Sequence, residues 1–176
     1  LDGNLLYSVF KELDYATNLV DGQWKSSGLG EVFRAAAADP KDVHFVDFAP
    51  YEPSYGAPAS FISTGIVNRL GQVVGVLAFQ MPIERINNLM QSPLGLRETG
   101  DTVIVGADGL RRSDSRFATE TGILKDRFDF DGFMKSTTDD ADFFRFEVDG
   151  VDKIARIAPF DFHGARWAVM AFIDAE

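Results

Sequence analysis

Gly71-Gln-Val-Val-Gly-Val-Leu-Ala-Phe79 and Gly164-Ala-Arg-Trp-Ala-Val-Met-Ala-Phe172 align without a gap. Each is a turn glycine followed by a short apolar run. Such runs, rich in Val, Trp and Phe and only a few residues long, suit buried strands better than helices. The same unit in both halves of a 176-residue chain points to an internal repeat, and so to two similar modules.

Outward from these strands the halves have the same order. In the first, Asn4–Phe10 reads as a strand after an Asp2-Gly3 turn. Gly30–Ala38 reads as a helix ending before Asp39-Pro40. Val43–Phe48 and Ser60–Val67 are β-rich, and a turn over 68–71 leads to the strand Gln72–Gln80. Glu84–Gln91 reads as a helix opened by Pro82 and stopped by Pro93-Leu94-Gly95. In the second half, Asp101–Val105 is a strand, Asp108-Gly109 a turn and Leu110–Ser113 a second strand. A helical or mixed stretch over 115–136 follows. Then come the strands Phe143–Val148, Asp152–Pro159 and Arg166–Ile173, separated by turns at Asp149-Gly150 and His163-Gly164. The fold class expected is α+β: two tandem modules, residues 1–91 and 92–176, each an antiparallel sheet flanked by helices. Only the second half has a strand before its Asp-Gly turn, so the first module is expected to lack its opening strand.

Composition limits the function. Hydrophobic residues make up 45% and charged residues 25%, the balance of a packed globular protein. The 16 Phe can fill a core or line a pocket. A net charge of −10 repels phosphate backbones, and the densest basic stretch, Arg111, Arg112 and Arg116, is interleaved with Asp108 and Asp114. Nucleic acid is therefore excluded as a partner. With no Cys there is no disulfide, thiolate metal site or Cys nucleophile. No run approaches the ~20 apolar residues of a membrane span. The lack of an initiator Met or signal peptide is read as a fragment of a longer protein.

The order of elements and several stretches resemble the double Cache (tandem PAS-like) sensors of bacterial methyl-accepting chemotaxis proteins. The stretches are Tyr7-Ser-Val-Phe-Lys-Glu12, Asp47-Phe-Ala-Pro-Tyr-Glu-Pro-Ser54, Gly75-Val-Leu-Ala-Phe-Gln-Met-Pro-Ile83, Gly95-Leu-Arg-Glu-Thr-Gly-Asp-Thr-Val-Ile-Val-Gly-Ala-Asp-Gly109 and Trp167-Ala-Val-Met-Ala-Phe-Ile-Asp-Ala-Glu176. The resemblance implies a periplasmic sensing region of an inner-membrane receptor, without catalysis and without a cofactor. It implies a small-molecule ligand in the membrane-distal first module and signal transmission through the membrane-proximal second one. The same sensors occur on histidine kinases and on nucleotide or diguanylate cyclases. A cytosolic PAS tandem for dimerisation is the other reading. It could not use flavin–Cys chemistry, and its two histidines, His44 and His163, are poorly placed for haem. A monomer or weak homodimer is expected.

Candidate ligand residues cluster around 47–63. Three prolines and Gly56 make the connection after Asp47 stiff, with little entropy left to lose on contact. Tyr51 and Tyr55 offer ring and hydroxyl to a small polar ligand, or cover core edges in a rigid hairpin. Ser54 lies between them. Asp47 either pairs with a ligand amine or is solvated. Trp24 is a lid residue or a loop plug. Phe61 and Ser63 share one strand face, which meets the pocket or a helix. Gln80 stands where the resemblance implies an Asp in amino-acid-binding Cache sensors, which puts that ligand class in question.

Arg112-Ser-Asp-Ser-Arg116 reads as an anion site at a helix start, or as a helix cap with solvated arginines. Asp126–Gly132 has the residues of a calcium loop in the wrong register: Arg127 stands at the first ligand position and Thr138 replaces the closing Glu. No metal is expected.

Overall fold

The computed structural model describes residues 1–136, 143–148 and 150–175. The chain divides into two compact units, Leu1–Met81 and Pro82–Glu176. This division falls just before the helix Ile83–Met90, which the expected 91/92 boundary assigned to the first module.

Unit 1 is one helix on a three-stranded antiparallel sheet. Helix α1 (Gly28–Ala38) starts at Ser27, whose hydroxyl accepts the Gly30 N–H at 3.3 Å, and ends at Asp39. Four consecutive alanines favour the helical state, and Pro40 prevents its continuation. Strands β1 (Val43–Tyr51), β2 (Ala57–Val67) and β3 (Val73–Gln80) lie in that order. The α1 face of the sheet packs Leu29 and Val32 against Tyr51, Ala59 and Phe61, with Leu19 from the N-terminal segment. Burying Val32 completely is worth about 1.5–3 kcal/mol. Ser63 fixes the helix by donating its hydroxyl to the Val32 carbonyl at 2.8 Å.

The expected strand Asn4–Phe10 does not form. Asn4 makes one isolated bridge to Asn18, and Leu6, Tyr7, Val9 and Phe10 are exposed. Lys11 and Ala16 take left-handed backbone angles (φ 48° and 59°), which turn the chain back on itself. The loop is then closed by Leu5 N–H to Thr17 O, by Leu19 N–H to Gly3 O, and by the Asn18 side chain. The apolar and aromatic residues of 4–10 are β-like in type, but among the described residues no strand pairs with them.

Unit 2 holds a four-stranded antiparallel sheet in the order β4-β7-β6-β5. Its elements are α2 (Ile83–Met90), β4 (Asp101–Gly106), α3 (Phe130–Ser136), β5 (Phe144–Val148), β6 (Val151–Phe162) and β7 (Ala165–Asp174). Cross-strand neighbours Val103↔Met170, Val105↔Ala168, Ile157↔Met170 and Ala155↔Phe172 stack their side chains on one face. Phe130 closes this core, with Phe128, Phe133, Phe144 and Phe146 packed against it. Leu110–Ser113 is not a ladder strand, making only the bridges Leu110↔Arg127 and Arg111↔Val105. Of 115–136 only α3 is helical. The Asp149-Gly150 turn falls partly outside the described residues.

The two aligned segments become the last strand of each sheet, each after a glycine with left-handed φ: Gly71 at 77° and Gly164 at 86°. Their faces are out of phase. Met170 and Phe172 are buried, whereas the aligned Leu77 and Phe79 are exposed and Ala78 packs on the core instead. A one-residue phase change exchanges the two faces of a strand.

Candidate functional site

A bulge between Val46 and Ala49 interrupts the β1–β2 ladder and brings Tyr51 onto the α1 face. Beyond it, Glu52–Ser54 form a single 3₁₀ turn with Pro53 buried. Tyr55 (φ 57°) and Gly56 (φ 75°) then reverse the chain, so that Gly56 N–H reaches the Tyr51 carbonyl at 3.0 Å. Glycine is needed where two successive residues are left-handed.

This geometry gathers three of the predicted residues on one short segment, Glu12-Leu13-Asp14. The Tyr51 hydroxyl donates to Asp14 Oδ2 at 2.6 Å. The Ser54 hydroxyl donates to Glu12 Oε2 at 2.5 Å. The half-buried Trp24 donates its indole N–H to the Leu13 carbonyl at 3.1 Å. Phe61 lies edge-on to the Tyr51 ring, with centroids 4.9 Å apart. Gly28 gives the Phe61 ring its space, since a Cβ there would stand 3.1 Å from it.

Asp14 is 6% exposed and Tyr51 2%. The Tyr51 hydroxyl is held well above the ordinary phenol range, by burial first, then by the hydrogen bond to Asp14, then by the negative charges of Asp14 and Glu12. It therefore stays a donor. Asp14 Oδ1 and the Ser60 hydroxyl are both buried, and neither has a hydrogen-bond partner among the described residues. A buried carboxylate oxygen without a donor is costly.

The other predicted residues lie elsewhere. Tyr55 is 90% exposed at the turn tip. Ser63 holds α1. Asp47, half-buried at the bulge, accepts its neighbour Phe48's N–H at 2.7 Å. Gln80 is exposed at the end of β3, paired in register with Phe61. Sequence reading missed Glu12 and Asp14, although both sit in the resembling N-terminal stretch or just after it.

No helix begins at Arg112–Arg116, so no helix terminus is available there to bind an anion. Instead Ser115 Oγ accepts Phe117 N–H, Asp114 accepts Gly122 N–H, and Arg112 pairs with Asp108 at 3.0 Å. Among the described residues no group of three or more His, Asp or Glu is placed to hold a metal, and no helix is long and apolar enough to cross a membrane.

The arrangement, two α+β units with antiparallel sheets and few helices, is a Cache/PAS-like fold, the fold of the ligand-binding domains of bacterial chemoreceptors. Solved structures sharing it include that domain of Pseudomonas fluorescens CtaA with L-alanine (18% identity, TM-score 0.53, covering 82% of this chain and 60% of that one). Others are Pseudomonas aeruginosa PctC with GABA (18%, TM-score 0.54, 81% and 60%) and Campylobacter jejuni Tlp3 with 4-methylisoleucine (14%, TM-score 0.56, 82% and 52%). The chain thus spans about half to three-fifths of these domains. No family model and no curated protein sequence matches it.

Proposed function

We propose that this chain is part of the extracytoplasmic region of a bacterial transmembrane receptor, that it senses a small molecule without chemical turnover, and that unit 1 holds the ligand. The observation that carries the site is Asp14: one oxygen is fixed by Tyr51, and the other is buried without a partner among the described residues. Tyr51, Trp24 and Ser54 bond to the same segment, Phe61 packs on the Tyr51 ring, and the buried Ser60 hydroxyl also has no partner among the described residues. An oxygen of this kind calls for an N–H donor, so the ligand is an amine-bearing small molecule with its cationic nitrogen on Asp14. The neighbours' co-crystallised amino acids and GABA agree with this class. Gln80 leaves β3 without a carboxylate, and Asp14 supplies one from the N-terminal segment.

A sensor of this kind signals only through the ligand's different affinities for two conformations. The Glu12–Asp14 segment, tied by side-chain hydrogen bonds to Tyr51 at the end of β1 and to Ser54 in the 3₁₀ turn, is the element whose position such a ligand would bias. Its loop has few backbone ladder bonds to resist that bias.

The test is a thermal-shift screen of the whole chain against amino acids, primary amines, organic acids, purines and sugars. At 100 times its Kd a ligand stabilises the fold by about 2.7 kcal/mol, a rise of several degrees. Amine-bearing compounds should give the hits, and Asp14→Asn should abolish them while the variant keeps its circular dichroism spectrum. Hits of another class, or amine hits unaffected by the substitution, would refute the reading.

A further inference from the structure

Unit 2 contains a cavity of about 360 Å³ whose lining includes Asp101, Arg111, Ser115, Phe117, Phe128 and Lys153. That volume lies within the range of small-molecule sites. Its chemistry is uneven in a specific way. Arg111 is largely buried, with its side chain 11% exposed, and Nη1 pairs with Asp126 at 3.0 Å. Its guanidinium lies over the Phe128 ring, 5.4 Å from the centroid. The opposite edge is different: Nε is buried and has no hydrogen-bond partner among the described residues. Arginine stays protonated, so that N–H needs an acceptor.

The surrounding groups do not supply one. Asp101 Oδ1 accepts the backbone N–H groups of Thr102 and Arg116, at 2.9 and 3.2 Å. Lys153 and Asp174 pair with each other. Ser115 Oγ accepts Phe117 N–H at 3.0 Å, which leaves its hydroxyl proton to donate. The buried Arg111 Nε–H and the Ser115 hydroxyl are thus two donors on a lining that Phe117 and Phe128 share. Glu98, Asp101 and Asp174, also on the lining, limit how much negative charge can be added.

From this geometry we infer a second binding site in unit 2, for a small monocarboxylate. One carboxylate oxygen accepts from Arg111 Nε, the Ser115 hydroxyl donates to the same group, and the apolar body lies against Phe117 and Phe128. A carboxylate on the guanidinium edge is the stronger class of charge-assisted hydrogen bond. Dicarboxylates and phosphate are disfavoured by the three acidic side chains. The site is independent of the unit 1 reading, because it shares no residue with it.

The experiment is a propionate titration of the whole ¹⁵N-labelled chain, followed at the Arg111 Nε–H resonance, with succinate as the charge control. Propionate should shift that resonance saturably. Arg111→Lys keeps the charge but removes the edge, and should weaken binding at least about tenfold. Ser115→Ala, which leaves Arg111 in place, should weaken it severalfold and provides the test if the lysine variant fails to fold. No shift with propionate, equal affinity for succinate, or binding unchanged in either folded variant would overturn the inference.

Discussion

Replacing Tyr51 with Phe removes one oxygen and leaves the ring against Phe61. The lost hydroxyl is the donor to Asp14 Oδ2 at 2.6 Å, between groups 2% and 6% exposed. Asp14 would then keep a buried carboxylate with neither oxygen satisfied by the described residues, since Oδ1 already has no partner among them. A hydrogen bond to a charged group is worth about 1.5–3 kcal/mol, so at pH 8 Tyr51→Phe should cost about 2 kcal/mol. For a chain of this length that lowers the melting temperature by roughly 4–8 °C. The cost should also depend on pH. The folded hydroxyl titrates well above the ordinary value, whereas the unfolded one titrates near 10. Above about pH 10 the unfolded chain therefore loses a proton that the folded chain keeps. Stability falls as pH rises, by up to about 1.4 kcal/mol per unit, and only in the protein with Tyr51. The other tyrosines are common to both proteins and cancel. Denaturant unfolding of both at pH 8 and pH 11 should show the gap shrinking from about 2 to under about 1 kcal/mol. A gap that stays constant or widens would refute the Tyr51–Asp14 pairing.

Three further outcomes follow from the packing. Ser63→Ala removes the tie from β2 to the Val32 carbonyl and should cost about 1 kcal/mol, read as a drop of roughly 2–4 °C in melting temperature. Gly65→Ala would set a Cβ 2.3 Å from Pro40 Cβ, and this overpacking should cost about 1–3 kcal/mol in denaturant unfolding. For Asp108, burial raises the pKa, but the Arg112 and Leu110 hydrogen bonds and the Arg112 and Arg127 charges outweigh it, so the folded value is lowered. Its contribution is thus present above the ordinary carboxylate range and lost as pH falls through the lowered value. The carboxyl is half-exposed, so Asp108→Asn should flatten the acid limb of the stability curve by under about 1 kcal/mol.

The strands were legible because each carries its own signal. β3 and β7 are largely apolar runs that follow turn glycines, β6 lies between the turn glycines Gly150 and Gly164, and α1 has a serine cap and a proline stop. What the ungapped alignment could not give was the phase, since a strand's facing depends on its partners. Phe79 and Phe172 align in sequence, yet one is exposed and the other buried. Residues 4–10 differ for the same reason: a β-like run forms a strand only where a neighbouring edge pairs with it. At the candidate site, Tyr51, Ser54, Trp24 and Phe61 were visible as unusual residue types in loops or on strand faces. Asp14 was not, because its role rests on contacts 37 residues away in the chain, as Glu12's rests on one 42 residues away. The cavity in unit 2 was equally hidden. Arg111 is one of several arginines in the sequence, and only the folded chain leaves its Nε without an acceptor.

The account stands most directly on where an amine-bearing ligand binds. The deciding measurement is backbone amide chemical-shift mapping of the whole chain with the tightest amine hit. The account predicts that the largest shifts fall on residues 12–14, Trp24 and 51–54, with smaller ones on Phe61. Shifts confined to unit 2, or absent from the Glu12–Asp14 segment, would contradict it.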